Sequence, residues 1–210
     1  MIRSVGIVTA AMTFGSPSRL EDTDAELIRR VVAKDRRAFE LLYQRYAERL
    51  QHYLARLISK PDVTEEVLDD VMLVVWQNAS RFDHTSKVST WIFGIAHNKA
   101  LKARTRLASR SSEQTVSDEH AVEGEGPDDV SMRSELGRVV ARGLEALSPE
   151  QRAVVELTFY QERSYQEIAE IVRCPVNTVK TRMFHARRRL APLLAAIGLG
   201  PRPGTEEVSG

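Results

Sequence analysis

Between Arg173 and Arg189 the chain carries six basic residues and no acid. Apolar residues recur there at helical spacing. Sorted at about 100° per residue, Val179, Met183, Ala186 and Leu190 fall on one narrow stripe that must face a core. Asn177, Thr181, Phe184, His185 and Arg188 point the opposite way, with Thr178, Lys180, Arg182 and Arg187 on the flanks. Outward polar side chains on such a helix suit base edges in a major groove, where Phe184 can meet a thymine methyl. Flanking Lys and Arg suit phosphates and fix the register. An ordinary helical hairpin with a solvated basic face is the competing reading. An outward Phe among cations weighs against it.

A second cluster has the opposite sign. Glu65, Glu66, Asp69 and Asp70 crowd the first turns of a segment whose other side holds Val67, Leu68, Val71, Met72, Val75 and Trp76. Acids near a helix N-terminus complement its dipole. Four in six residues exceed what capping needs, so an acidic docking face competes on even terms. These carboxylates lack a His or metal partner, there is no Gly-rich phosphate loop, and Ser and His form no triad. No catalytic residue, metal site or cofactor is expected. The one cysteine, Cys174, supports neither a disulfide framework nor a paired-cysteine zinc site and fits a reducing cytoplasm.

These clusters need helices to hold them. Hydrophobic residues make up 42% and aromatics 6% of the 210 residues, without period-two runs, so an all-α chain is the expectation. A helix starts near Thr23, where Thr23 and Glu26 have capping-box spacing. A second runs from about Arg37 to Ser59, its Tyr residues packing in the core with hydroxyls near the rim. Pro61 and Asp62 break the chain before a third, Thr64 to Ala79. Phe82 to Thr90 reads as a loop, and a fourth helix follows from about Thr90 to Arg106, apolar at first and basic from Asn98. The helical pattern resumes near Glu135. Ser148-Pro149-Glu150-Gln151 and Ser164-Tyr165-Gln166-Glu167 both look like capped helix starts. Arg173-Cys174-Pro175 is the turn, because Pro disfavours helix in the residue before it. A short helix, a tight turn and a basic second helix make a helix-turn-helix pattern.

The formal net charge of +1 hides a segregation. Lys99 to Arg110 holds five basic residues and no acid, and Ser111 to Val130 holds seven acids and no Lys or Arg. The division expected is a flexible lead (1–22), a helical module (23–107), an acidic linker too polar to bury a face (108–135), a second module (136–195) and a tail (196–210). No apolar run approaches the roughly 20 residues that span a membrane, so no membrane insertion is expected. The start of the chain lacks a proper signal sequence, and Met12 is an alternative start.

At this point the residues resemble a known family. Leu147 to Arg152, Ser164 to Ala169 and Thr178 to Arg187 look like domain four of a sigma factor. Glu66 to Trp76, Arg81-Phe82 and Ser89 to Asn98 look like domain two. The order and spacing of the halves, without further domains between them, resemble the extracytoplasmic-function (ECF) group of sigma-70 RNA polymerase sigma factors.

The resemblance implies partners and roles. Core RNA polymerase would be held through the clamp helices of its largest subunit, gripped by Glu65, Glu66, Asp69, Asp70 and Trp76, and through its flap. The loop from Phe82 to Ser89 matches the segment that captures a flipped base of the minus-ten element. Trp91, His97, Asn98, Lys99 and Lys102 lie where the family melts and holds the non-template strand. Core packing is the competing reading for the ring of Trp91. Thr181, Phe184 and His185 match positions that read the minus-thirty-five element. An anti-sigma factor is a further expected partner. Val63, Asp69, Val74, His97 and His185 depart from the usual residues, which bears on polymerase affinity and promoter sequence.

Two other classes compete. One is a helix-turn-helix regulator that never joins the polymerase and predicts a dimer on a palindromic site. The other is an enzyme fused to a DNA-binding domain. Thr64, at the start of the acidic helix, is a candidate for charge-adding phosphorylation.

Overall fold

The computed structural model describes residues 23–113, 141 and 143–196. Among them there are helices and turns and no strand. The chain forms α1 (Asp24–Val32), α2 (Arg36–Ile58), α3 (Pro61–Asn78), a 3-10 turn (Ala79–Arg81) and α4 (Val88–Glu113), then α5 (Pro149–Phe159), α6 (Tyr165–Val172) and α7 (Val176–Ala196). The expected lead and the tail from 197 lie outside the described residues, as does the linker from 114 onward.

Local chemistry sets most boundaries. Thr23 accepts the Glu26 amide at 3.3 Å and starts α1. Asp35 accepts the amides of Arg37 and Ala38 and starts α2. The other carboxylate oxygen of Asp35 takes the Arg30 guanidinium at 2.9 Å, tying α1 to α2. Two boundaries differ from expectation. Helix α3 begins at Pro61, not Thr64, because the fixed φ and missing N–H of proline suit a first helical position. Helix α4 runs on to Glu113, into the stretch expected as linker. Leu107 packs on the core there, and the Ser109 hydroxyl donates back to the Thr105 carbonyl.

The N-terminal module wraps α1, α3 and α4 around α2. Its fully buried side chains include Leu42, Tyr46, Leu50, Tyr53, Leu54, Ile92 and Phe93. The Tyr46 hydroxyl donates to Asp24. The Tyr53 hydroxyl is not at the rim: it pairs at 2.9 Å with Nδ1 of buried His97, and burial pushes the phenol pKa up. Thr64 is 1% exposed and its hydroxyl donates to the Lys60 carbonyl at 2.9 Å. A kinase cannot reach this hydroxyl in the folded module, against the expectation of phosphorylation at Thr64.

In the C-terminal module α7 lies across α5 and α6. Both expected capping boxes form: Ser148 with Gln151, and Ser164 with Glu167. The turn residue Arg173 has φ 53° and ψ 53°, left-handed backbone at the end of α6. A side chain pays about 1–2 kcal/mol for that conformation, where glycine is at ease. Arg173→Gly therefore stabilises the module by about 0.5–1 kcal/mol after the greater chain entropy of glycine, read as a shift in urea midpoint without a change of slope.

Candidate nucleic-acid and polymerase interfaces

Helix α7 is anchored as its periodicity predicts. Val179, Met183 and Ala186 are buried, and Leu190 packs against the core. The far side, Asn177, Thr181, Phe184, His185 and Arg188, is exposed, as are Lys180 and Arg187. Phe184 is 57% exposed, with the His185 ring edge-on at 5.5 Å and the Arg188 guanidinium 5.8 Å from its centroid. Together these form an outward aromatic-cationic cluster with no core to fill. Thr181 donates its hydroxyl to the Asn177 carbonyl. Thr178 and Arg182 are half-buried, and Arg182 reaches Sγ of Cys174 at 3.7 Å.

The second cluster is more covered than its sequence suggests. Phe82 is buried, between His84 at 4.6 Å and Trp91 at 5.5 Å between ring centroids. Trp91 is half-buried, so core packing accounts for part of its ring. In the loop, Asp83 accepts the Thr85 amide and hydroxyl at 3.0 and 2.8 Å, and these bonds hold its carboxyl below the usual range. Asn98 is half-buried and donates to the Gly94 carbonyl. Lys102 is exposed, and Lys99 pairs with Asp70 at 2.8 Å. His97 is 6% exposed. Burial, helped by nearby Arg182, pushes its pKa down to about 4, so the ring is neutral near pH 7.

The acidic face of α3 is partly spoken for. Glu66 pairs with Arg106 at 3.2 Å and Asp70 with Lys99, stitching α3 to α4, while Glu65 and Asp69 stand exposed. Exposed pairs of this kind are worth about 0–1 kcal/mol and exchange partners easily. Trp76 is half-buried against Phe39, centroids 5.2 Å apart, with the Lys34 ammonium 5.1 Å above its ring. It belongs to the seam with α2 as much as to the acidic face.

One set of contacts lay outside the sequence reading. Helix α6 rests on α4, and α5 on α2. Arg49 donates to Gln161 at 3.0 Å, Arg152 to the Arg56 carbonyl at 3.0 Å and Arg163 to the Ser89 hydroxyl at 2.8 Å. Lys87 pairs with Glu167 at 3.0 Å. The guanidinium groups of Arg49 and Arg163 lie 5.7 and 5.4 Å from the Phe93 centroid. Burial alone would raise the Glu167 pKa, but the Ser164 amide and hydroxyl and the Lys87 ammonium hold it at about 2. One signal was available: Glu156 interrupts the apolar run Ala153-Val154-Val155-Glu156-Leu157, and the structure buries all five, so α5 is covered on every side.

A bundle with a polar strand-sized face, followed by a helix-turn-helix reader, defines a class of two-module DNA-binding proteins. Residues 42–110 match the model of sigma-70 region 2, and 138–190 that of sigma-70, region 4. The ECF RNA polymerase sigma-E factor of Escherichia coli K12 is 30% identical over 180 residues, covering 80% of this chain and 92% of that protein. The RNA polymerase sigma-H factor of Pseudomonas aeruginosa is 29% identical over 188 residues, covering 83% and 97%. Among solved structures, CnrH in complex with the cytosolic domain of CnrY is similar at TM-score 0.61 and 26% identity, covering 82% of this chain and 97% of that one. The sigma factor RpoE in complex with the anti-sigma factor NepR from Bartonella quintana shares the fold at TM-score 0.64 and 24% identity, covering 75% and 96%. The chain belongs to the sigma-70 family, in its ECF group of alternative sigma factors for transcription initiation. Both regions occur in order on one chain, which disfavours a regulator acting apart from the polymerase.

The buried imidazole has a consequence for pH. Unfolded, His97 takes up a proton below about 6.5; folded, it does so only near 4. Its contribution to stability is complete above pH 6.5 and is lost as pH falls from there to about 4, by at most about 1.4 kcal/mol per unit. Urea unfolding across pH 7.5 to 5 should show this slope, and His97→Gln should flatten it.

Proposed function

We propose that this chain binds core RNA polymerase and takes it to promoters, with α7 reading the upstream duplex element and α4 with the 82–89 loop holding the melted strand. The carrying observation is the exposed far side of α7, an aromatic and cationic surface opposite a fully anchored stripe. Asn177, Thr181, Phe184, His185 and Arg188 face base edges. Lys180, Thr178 and Arg182 sit at the flanks, where phosphates run. On the N-terminal module, Lys99 and Lys102 neutralise the strand, Trp91 and Asn98 line the face along which bases unstack, and buried Phe82 and His97 support that face from beneath. Stacking there contributes roughly 1–3 kcal/mol per base, which offsets the cost of extrusion.

Glu65 and Asp69, with Glu66, Asp70 and Trp76 beside them, supply the docking face for the clamp helices of the polymerase. A second contact, with the flap, suits the apolar groove of about 220 Å³ lined by Gly143, Leu144, Val155, Phe159, Tyr160 and Leu190. Two docking points on one chain make the second effectively intramolecular, so their affinities compound. The protein performs no catalysis and carries no cofactor; the polymerase makes the RNA. Among the described residues no helix is long and apolar enough to cross a membrane, and the chain works in the cytoplasm. The sigma factor RpoE was solved with the anti-sigma factor NepR, and CnrH with the cytosolic domain of CnrY, which supports a protein partner of the anti-sigma kind here.

Purified protein added to core polymerase should yield promoter-dependent transcripts; core that stays inactive rejects the proposal. Asp69→Arg should weaken core binding roughly tenfold, measured by anisotropy. Lys180→Ala should weaken duplex binding for all sequences and lower the salt slope by about one. Phe184→Ala should instead reduce discrimination between promoter and random duplex.

A further inference from the structure

We propose that the apolar groove at the end of α7 is covered in the free protein by the chain's own Leu199, which polymerase must displace before it docks there. The cover rests on the groove and on the residues that follow it. The competition with polymerase rests on the reading of this groove as the flap contact.

Leu190, Leu193 and Leu194, near the end of α7, form one part of the groove lining. They press on Gly143, where a Cβ would stand 2.8 Å from a Leu190 methyl and 3.3 Å from a Leu193 methyl. Phe159 and Tyr160, also in the lining, are 59% and 52% exposed. The volume of about 220 Å³ falls below the roughly 300–1,000 Å³ of small-molecule sites. An apolar side chain suits it better than a metabolite does.

The chain supplies such a side chain within reach. Helix α7 ends at Ala196, and Ile197-Gly198-Leu199-Gly200-Pro201 follows, with no charge before Arg202. Leu190, Leu193, Leu194 and Ile197 keep the i, i+3, i+4, i+7 spacing of one helical face. Gly198 comes next, where a left-handed glycine commonly ends a helix, and a proline shortly after cannot continue one. In that ending the apolar residue after the glycine turns back onto the last full turn of the helix. With Gly198 as the glycine, the residues Leu199 meets are Leu194 and Leu193, both in the groove lining. Apolar surface withdrawn from water favours the covered form. A second copy of the chain is the rival occupant. It competes at a disadvantage with a side chain tethered a few residues away, at an effective concentration of about millimolar.

Three substitutions in the full chain test this. Leu199→Ser removes the covering side chain, and Gly198→Val opposes the left-handed turn while keeping Leu199. Leu199→Met conserves volume and should behave as the unaltered chain does. None touches the buried stripe of α7, so the module still folds. Anilinonaphthalene sulfonate, a dye that reports exposed apolar surface, should fluoresce severalfold more with Leu199→Ser and Gly198→Val. The same two variants should bind core polymerase about tenfold tighter by anisotropy, the gain expected when about nine molecules in ten start out covered. Equal dye fluorescence in all four proteins overturns the cover. Weaker core binding by Leu199→Ser overturns it too, because Leu199 then belongs to the flap contact. A full chain that sediments as a dimer, and as a monomer once Phe159→Ser is introduced, assigns the groove to a second copy and overturns the proposal. Brighter dye with unchanged core affinity overturns the competition and rejects this groove as the flap contact. Transcription with core polymerase tests the broader function separately.

Discussion

Helix α4 has to satisfy two demands with one surface, and most of the structure follows from how it does so. Its apolar positions, Ile92, Phe93, Ala96, Ala100 and Ala103, are buried in the N-terminal core. Its remaining face carries Asn98, Lys99 and Lys102, the side chains proposed to meet a polyanion. His97 lies at the join, held by Tyr53 and kept neutral by burial. A charged imidazole there would be costly, because a buried ion without a close counter-ion is strongly disfavoured. The departure of His97 from the residue usual in the family is thus matched by the environment that surrounds it.

Charge is arranged to be exchanged. The chain is nearly neutral as a whole, yet its basic and acidic stretches are separate in sequence and meet in space. Lys99 with Asp70 and Arg106 with Glu66 join α4 to α3, and Lys87, in the loop just before α4, pairs with Glu167 of α6. Such pairs hold little energy when exposed, and phosphates or polymerase side chains can replace either partner at little net cost. A protein that must bind a large enzyme and a strand of DNA in turn benefits from weak, replaceable ion pairs more than from a locked network.

The local rules in the sequence were dependable where a helix end is decided within a few residues. The capping boxes at Ser148 and Ser164, the turn at Arg173 to Pro175 and the buried stripe of α7 stand where spacing placed them. The errors came where a local cue had two meanings. Pro61 was read as a break and is the first residue of α3. Polar composition after Arg106 suggested a linker, yet α4 continues to Glu113 because its propensity is adequate and Leu107 finds a core. Its place at the start of the acidic helix makes Thr64 a candidate for phosphorylation in sequence, and the packing of α3 buries it.

By itself, the sequence determined the helical class, the outward set on α7, the acidic face of α3 and the likeness to two sigma-70 regions. All of these are periodic or local, and a helix expresses them without reference to distant residues. Only the tertiary structure decided that Tyr53 meets His97, that Phe82 is covered by Trp91, and that Arg49 and Arg163 close over Phe93. Tyr53 and His97 are 44 positions apart along the chain, and Arg49 and Gln161, which also meet, are 112 apart. Periodicity says which face of each helix is apolar, but not which other helix will cover it. That choice is made by shape and charge fitting together across the whole folded chain.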